Sequence, residues 1–133
     1  MGYTTYARGV IAIHPPIPWH RIKDSPFLPD GGNDELDVKF VLSQEERDTS
    51  EGVLTVIEAT GVEQRYEDDP RNYNIVVHLQ RLIDAFPEHE FLGRFECDGE
   101  EAGDLWRVEI EGRKAMKVKP RIVWPDGSET RPR

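Results

Sequence analysis

The strand content of this chain is decided by the segment LDVKFVLSQEERDTSEGVLTVIEAT, residues 36–60. Over residues 36–42 apolar positions alternate with Asp37 and Lys39, which is the pattern of a strand with one buried face. Residues 53–60 predict the next strand. Upstream, residues 4–14 predict a first strand that Pro15-Pro16 should end, because proline cannot donate to a strand ladder. Pro18 then favours a short helix over residues 19–23.

Downstream of this segment lies the clearest helical pattern. Asp69-Pro70 is typical of an N-cap followed by a proline in the first turn, and Pro87 should stop the helix. Between them the apolar residues at helical spacing are Ile75, Leu79, Leu82 and Phe86. Further strands are predicted over residues 91–97, 105–111 and 115–124.

The order of these elements predicts an α+β fold with a ferredoxin-like β-α-β-β-α-β core. Extra C-terminal antiparallel strands would extend this core, and the helices would pack on one face of the sheet. The length of 133 residues fits a single domain over residues 1–124. Residues 125–133, polar and with two prolines, should form a flexible tail.

The charge of the chain is unevenly distributed. Its net charge is −9, yet residues 34–104 hold 6 basic and 20 acidic side chains while residues 105–133 hold 8 and 4. The acidic excess argues against general nucleic-acid binding and favours a protein partner, which could be a basic protein. No apolar run is long enough for a bilayer or a signal peptide, and the single cysteine cannot form an internal disulfide. We therefore expect a cytoplasmic protein that does not enter membranes.

The basic C-terminal end suggests a binding row. If residues 112–114 form a three-residue loop, Ile110 pairs with Met116, and the outer face of the sheet gathers basic side chains. These are Arg107, Lys117, Lys119 and Arg121. Such a row could hold a phosphate group or an acidic protein surface, although a solvated edge strand is the simpler interpretation. An exposed edge strand would also allow a homodimer by strand pairing.

Two further features are candidates for binding. The acidic run Glu67, Asp68 and Asp69 could contact a partner, but it also suits the start of a helix. Neither this run nor the acidic turn near residue 100 has the spacing of a calcium loop, so we predict no metal and no cofactor. Trp19, which follows the prolines, could be a partly exposed contact residue.

The motif Arg8-Gly9-Val10-Ile11-Ala12-Ile13 running into Pro15-Pro16-Ile17-Pro18-Trp19 resembles small proteins of unknown function from actinobacteria and their phages. The stretches 91–95 and 104–108 resemble the same group. This resemblance implies a phage or mobile-element setting and transfers no activity or functional residue.

With no catalytic motif in view, the sequence favours a small acidic, non-enzymatic interaction protein. It would bind and modulate a host or defence protein through its charged surface. The alternative is a binding protein or an enzyme that takes a nucleotide or another anionic small molecule on the exposed sheet face.

Overall fold

The computed structural model describes residues 2–130, which form a mainly β structure. Strands account for 48% of the described residues and helices for 12%. The elements in chain order are β1 (Thr5–Arg8), β2 (Ile11–Pro18), α1 (Trp19–Ile22), β3 (Val38–Thr49), β4 (Gly52–Gln64), α2 (Ile75–Ala85), β5 (Glu90–Leu92), β6 (Arg94–Gly99), β7 (Leu105–Glu111), β8 (Lys114–Val118), β9 (Ile122–Val123) and β10 (Glu129–Thr130).

The strands form three antiparallel sheets. The first sheet has the order β1-β6-β7-β8, the second has the order β3-β4-β2-β5, and β9 pairs with β10. The predicted ferredoxin-like α+β fold is therefore wrong, because the strands are divided among three sheets and α1 has only four residues. Residues 131–133 of the predicted flexible tail lie outside the described part of the chain.

One glycine explains much of this error. The single strand predicted over residues 4–14 is divided at Gly9, whose φ of 106° suits glycine far better than a residue with a side chain. As a result β1 pairs with β6 in the first sheet, while β2 enters the second sheet. Pro15 and Pro16 do not end β2. The pairing of β2 with β4 shifts register between Ala12 and Ile17, so the ladder with β4 does not require backbone N–H donors from residues 13–16.

The core lies between the two large sheets and α2. The predicted helical stripe is confirmed, since Ile75, Leu79 and Leu82 are buried, but α2 begins at Ile75 and not at Asp69-Pro70. This helix contacts both β8 and β3, so it joins the two sheets. Near its C-terminal end, the ring of Phe86 packs edge-on against Phe40 at 5.7 Å between centroids.

The β7–β8 hairpin has a two-residue turn, not the predicted three-residue loop. Glu109 pairs with Met116 and Arg107 with Val118. At the turn, Arg113 adopts a φ of 70° and donates hydrogen bonds to the carbonyl oxygens of Ile83 and Phe86, at 2.7 and 3.1 Å. These bonds satisfy backbone acceptors at the end of α2, so the turn is also a helix cap.

Candidate functional site

The β3–β4 hairpin projects beyond the body of the molecule as a two-stranded ribbon of residues 44–57, which we call the arm. β2 accompanies β4 only as far as the pair Pro18–Glu58. Within residues 2–130, the arm parts of β3 and β4 pair only with each other. All residues from 44 to 55 are exposed, so both faces of the arm are surface.

Local sequence explains why the arm is a long hairpin. Residues 53–57, VLTVI, are mostly β-branched and prefer the extended backbone even without a core to cover them. The turn is closed by the Thr49 hydroxyl, which donates to the carbonyl oxygen of Gly52 at 2.8 Å. Gly52 itself has a φ of 128°, which favours glycine at this position.

The two strands of the arm differ in chemistry. The β3 strand carries four consecutive charged residues, Glu45, Glu46, Arg47 and Asp48. The β4 side carries no charge from Val53 to Ile57, and Val53 and Leu54 are 64% and 53% exposed. The arm therefore presents an acidic edge and an apolar edge on one small element.

A groove of about 600 Å³ on the first sheet is the second candidate site. It contains two of the four residues predicted as a basic row. Its lining includes Arg8, Glu96, Asp98, Leu105, Arg107 and Lys119. The groove thus combines three basic and two acidic side chains with apolar surface.

Ion pairs occupy most of the groove's charges. Glu96 accepts from the Nε atoms of Arg107 and Arg94 at 3.1 and 2.9 Å, while Arg8 Nε lies 3.2 Å from Asp98 Oδ1. The hydrogen bond from Arg107 is the main reason that the pKa of Glu96 lies below its usual value. Within the described part of the chain Lys119 makes no ion pair, so its ammonium can meet an anion.

The other two members of the predicted row lie elsewhere. The two-residue turn moves Lys117 to the face opposite Arg107, where its ammonium lies 4.4 Å from the ring centroid of Trp106. Arg121 precedes β9 and forms an ion pair with Glu129 on β10. The predicted four-residue row is therefore reduced in the structure to Arg107 and Lys119, with Arg8 added.

The remaining predicted residues are not part of one site. Trp19 begins α1 and is 41% exposed. Glu67 and Asp68 are exposed in the loop before α2, and Asp69 pairs with Arg71 at 2.9 Å. Asp69 thus orders the loop and does not cap the helix.

Cys97, His78 and His89 are buried, and the two histidines have structural partners. Burial raises the pKa of the Cys97 thiol to about 12, so it is not a reactive thiolate. His78 Nδ1 accepts from the Asp37 N–H at 3.0 Å, and His89 Nδ1 lies 2.6 Å from the carbonyl oxygen of Pro15. Residues 2–130 contain no cluster of three or more His, Cys, Asp or Glu suited to a metal ion.

Sequence reasoning missed the apolar edge of the arm and the contribution of Arg8 to the groove. A short apolar run such as residues 53–57 reads as a buried strand, so no sequence signal separated it from core. Arg8 reaches the groove through the pairing of β1 with β6, in which it lies opposite Glu96.

The comparisons with known proteins identify a family. The chain belongs to a family of unknown function, DUF6205, whose model matches residues 1–133. A search of curated proteins and a search of solved structures each find no match for it. No helix within residues 2–130 is long and apolar enough to cross a membrane.

Proposed function

We propose that this protein is a non-enzymatic interaction protein and that the acidic strand of the arm contacts its partner. The observation that carries this proposal is the projection of residues 44–49 away from the body with four carboxylate or guanidinium side chains on one exposed strand. A projecting charged strand can be reached by a partner without any rearrangement of the core.

The partner best matched to this strand is a protein with a basic surface. Glu45, Glu46 and Asp48 outweigh Arg47, and Glu51 in the turn adds another negative charge. Electrostatic attraction of this kind speeds encounter and weakens as salt rises. In the phage or mobile-element setting that the sequence resemblance implies, the partner would be a host or defence protein whose activity is modulated by binding.

The proposal is tested by charge reversal on the arm. A tagged wild-type protein is used to identify a partner in lysate of the source organism, and binding to that purified partner is then measured between 50 and 300 mM salt, about the range over which screening develops. We expect Glu46→Lys to weaken binding about tenfold at low salt. Glu111→Lys, an equal charge change at an exposed site on the end of β7, is the matched control.

Equal affinity of the two variants for the partner, or an affinity that does not change with salt, would refute a role for the acidic strand. Since both exchanged positions are exposed, a change in folding is not expected to confuse the comparison.

The groove on the first sheet supports a second candidate function, the binding of an anionic small molecule. Lys119 is free of ion pairs in the described residues, and it lines the same groove as Arg107, Arg8 and Leu105. A nucleotide could pair a phosphate group with Lys119 while its base lies against Leu105, and inorganic phosphate could pair with Lys119 alone.

This second function is tested by thermal shift with ATP, ADP and phosphate. A ligand at 100 times its Kd should stabilise the protein by about 2.7 kcal/mol. Lys119→Ala should remove the shift, whereas Lys117→Ala on the opposite face and Arg121→Ala at the β9–β10 hairpin should retain it. A wild-type protein that melts at the same temperature with every ligand would exclude binding of these ligands.

A further inference from the structure

We propose that the groove on the first sheet prefers guanine nucleotides and that Asp98 recognises the base. This inference rests on the second function proposed above, anion binding at Lys119, and names the ligand class of that same groove. In the proposed complex a phosphate group meets Lys119, the sugar and base lie across Leu105, and the hydrogen-bonding edge of the base meets the Asp98 carboxylate.

The first observation is the order of side chains across the groove. Asp98 on β6 lies directly opposite Leu105 on β7, and β8 is the next strand on the far side of β7. Val118, the last residue of β8, pairs with Arg107 of β7. Lys119 therefore follows at the end of β8, about two strand spacings or about 10 Å from Asp98 between Cα atoms. The groove thus presents a cation, an apolar surface and a carboxylate in that order, with room for a sugar and base between the charges.

The second observation is that only one of the two carboxylates in the groove can take a ligand. Both oxygens of Glu96 are occupied, because Oε1 lies 2.9 and 3.1 Å from the Nε atoms of Arg94 and Arg107 and Oε2 accepts from Arg107 at 3.2 Å. Asp98 accepts from Arg8 through Oδ1, and within residues 2–130 no hydrogen bond reaches its Oδ2. The Asp98 side chain is 38% exposed, so it is the acceptor that remains for a bound molecule.

The chemistry of a carboxylate distinguishes guanine from the other bases. An ionised carboxylate only accepts hydrogen bonds, and Oδ1 keeps a second lone pair after the bond from Arg8. Guanine has two adjacent donors, N1–H and the N2 amino group, which match the two oxygens of one carboxylate. Adenine and cytosine place an unprotonated ring nitrogen beside a single amino group, and uracil has one N–H between two carbonyl oxygens. Each of these three bases would bring a lone pair against Asp98, which costs affinity.

The preference is measured first in the wild-type protein, with nucleoside monophosphates that differ only in the base. GMP, IMP and AMP carry the same phosphate group, so the contact at Lys119 cancels in the comparison. IMP keeps N1–H but lacks the N2 amino group. By isothermal titration calorimetry we expect GMP to bind about tenfold more tightly than AMP, which corresponds to about 1.4 kcal/mol, with IMP between them.

Asp98→Asn tests the residue that recognises the base. The amide keeps one acceptor but replaces the other oxygen with a donor, which opposes the N2 amino group of guanine. The affinity for GMP should fall about tenfold, and the affinity for AMP should not fall. Asp68→Asn makes the same change at an exposed position before α2, outside the groove, and should keep the affinity for GMP.

Xanthosine monophosphate, XMP, gives a test in which the variant gains affinity. Xanthine has a carbonyl oxygen where guanine has the N2 amino group, so XMP should bind poorly to wild-type Asp98. The amide of Asp98→Asn can donate to that oxygen, and the variant should bind XMP at least about tenfold more tightly than the wild type does. A loss of folding cannot produce a gain of affinity, so this comparison holds even if the variant is less stable.

A preference for GMP that Asp98→Asn removes, together with the gain for XMP, supports the proposal. Equal affinity of the wild type for GMP, IMP and AMP, with binding lost in Lys119→Ala, would overturn the guanine preference and leave anion binding in place. No binding of any nucleotide or of phosphate would overturn both. A preference for GMP that persists in Asp98→Asn would show that another group recognises the base and would overturn the role of Asp98.

Discussion

The two halves of the β3–β4 hairpin have the same strand pairing but differ in the burial of their side chains. In the body half, Val38, Phe40 and Val62 are at most 1% exposed and belong to the core. In the arm half, equally apolar residues such as Val53 and Leu54 are more than half exposed. The backbone ladder continues through both halves without interruption except for one shift between Val41 and Leu42.

This contrast shows that strand formation and burial are separate properties in this molecule. Backbone hydrogen bonds and β-branched side chains suffice to extend the hairpin beyond the core. Burial falls near Glu58, where β2 ends, and α1 also contacts β4. Val56 and Ile57 are still partly buried, whereas Val53 and Leu54 are more than half exposed and gain little from folding of the monomer.

The largest expected difference between the halves is the cost of truncating an apolar side chain. Phe40→Ala removes a ring that packs against Phe27 and Phe86, and it should lower the free energy of unfolding by about 3–5 kcal/mol. Leu54→Ala in the arm should cost about 0.5 kcal/mol or less. Urea denaturation of both variants measures the difference. Comparable losses in the two variants would show that the arm packs against the body.

A second large effect is expected at the body end of β4. Arg65 is 8% exposed and donates to the carbonyl oxygens of Leu36, Leu28 and Pro26 at 3.0, 3.1 and 3.2 Å. Arg65→Met would leave the Leu36 and Leu28 carbonyl oxygens without this donor, while that of Pro26 still accepts from the Asn33 N–H, and should destabilise the protein by about 2–4 kcal/mol.

Arg47→Met in the arm is the control for Arg65→Met. Among residues 2–130, Arg47 forms an ion pair only with exposed Glu45, so its loss should change stability by about 0.5 kcal/mol or less in the same denaturation experiment. A stable Arg65→Met protein would mean that loop 24–37 is held by its own backbone bonds.

A smaller effect is the pH dependence of stability, to which His78 contributes next to the start of β3. Burial lowers the pKa of His78 below 6.5, and its Nδ1 accepts from the N–H of Asp37, the residue before β3. Below pH 6.5 the unfolded chain takes up a proton that the folded chain resists, so stability falls as pH falls. His78→Asn, which can keep the acceptor, should reduce this slope between pH 7 and 5.5 when unfolding is measured at each pH. An unchanged slope would rule out His78 as its source.

Some of the fold could be predicted from periodicity, and some could not. The stripe of α2 was found because Ile75, Leu79 and Leu82 all face one core. The ferredoxin-like topology was wrong because a pattern of period two marks strands but does not assign them to sheets. At Gly9 the chain passes from one sheet to another, and only backbone conformation shows this.

The prediction of the basic row failed for a similar reason, an error of one residue in the strand register. Whether residues 112–114 or only Gly112 and Arg113 form the β7–β8 turn decides which face Lys117 occupies. The sequence alternation favoured the longer loop, but the bonds of Arg113 to the end of α2 stabilise the shorter one. Such tertiary contacts are not encoded in local spacing.

The smallest expected effect is the one that most directly tests the separation of arm and body. Ser43 and Glu58 are paired directly opposite each other, so Asn-Gly placed between them in exchange for residues 44–57 should close a two-residue hairpin. Because the removed residues contribute little to the core, the free energy of unfolding should change by about 1 kcal/mol or less. The circular dichroism of the shortened protein should still show the sheets and the helix of the body. A large loss of stability would instead show that the arm supports the fold, and the division between a buried half and an interacting half of this hairpin would have to be abandoned.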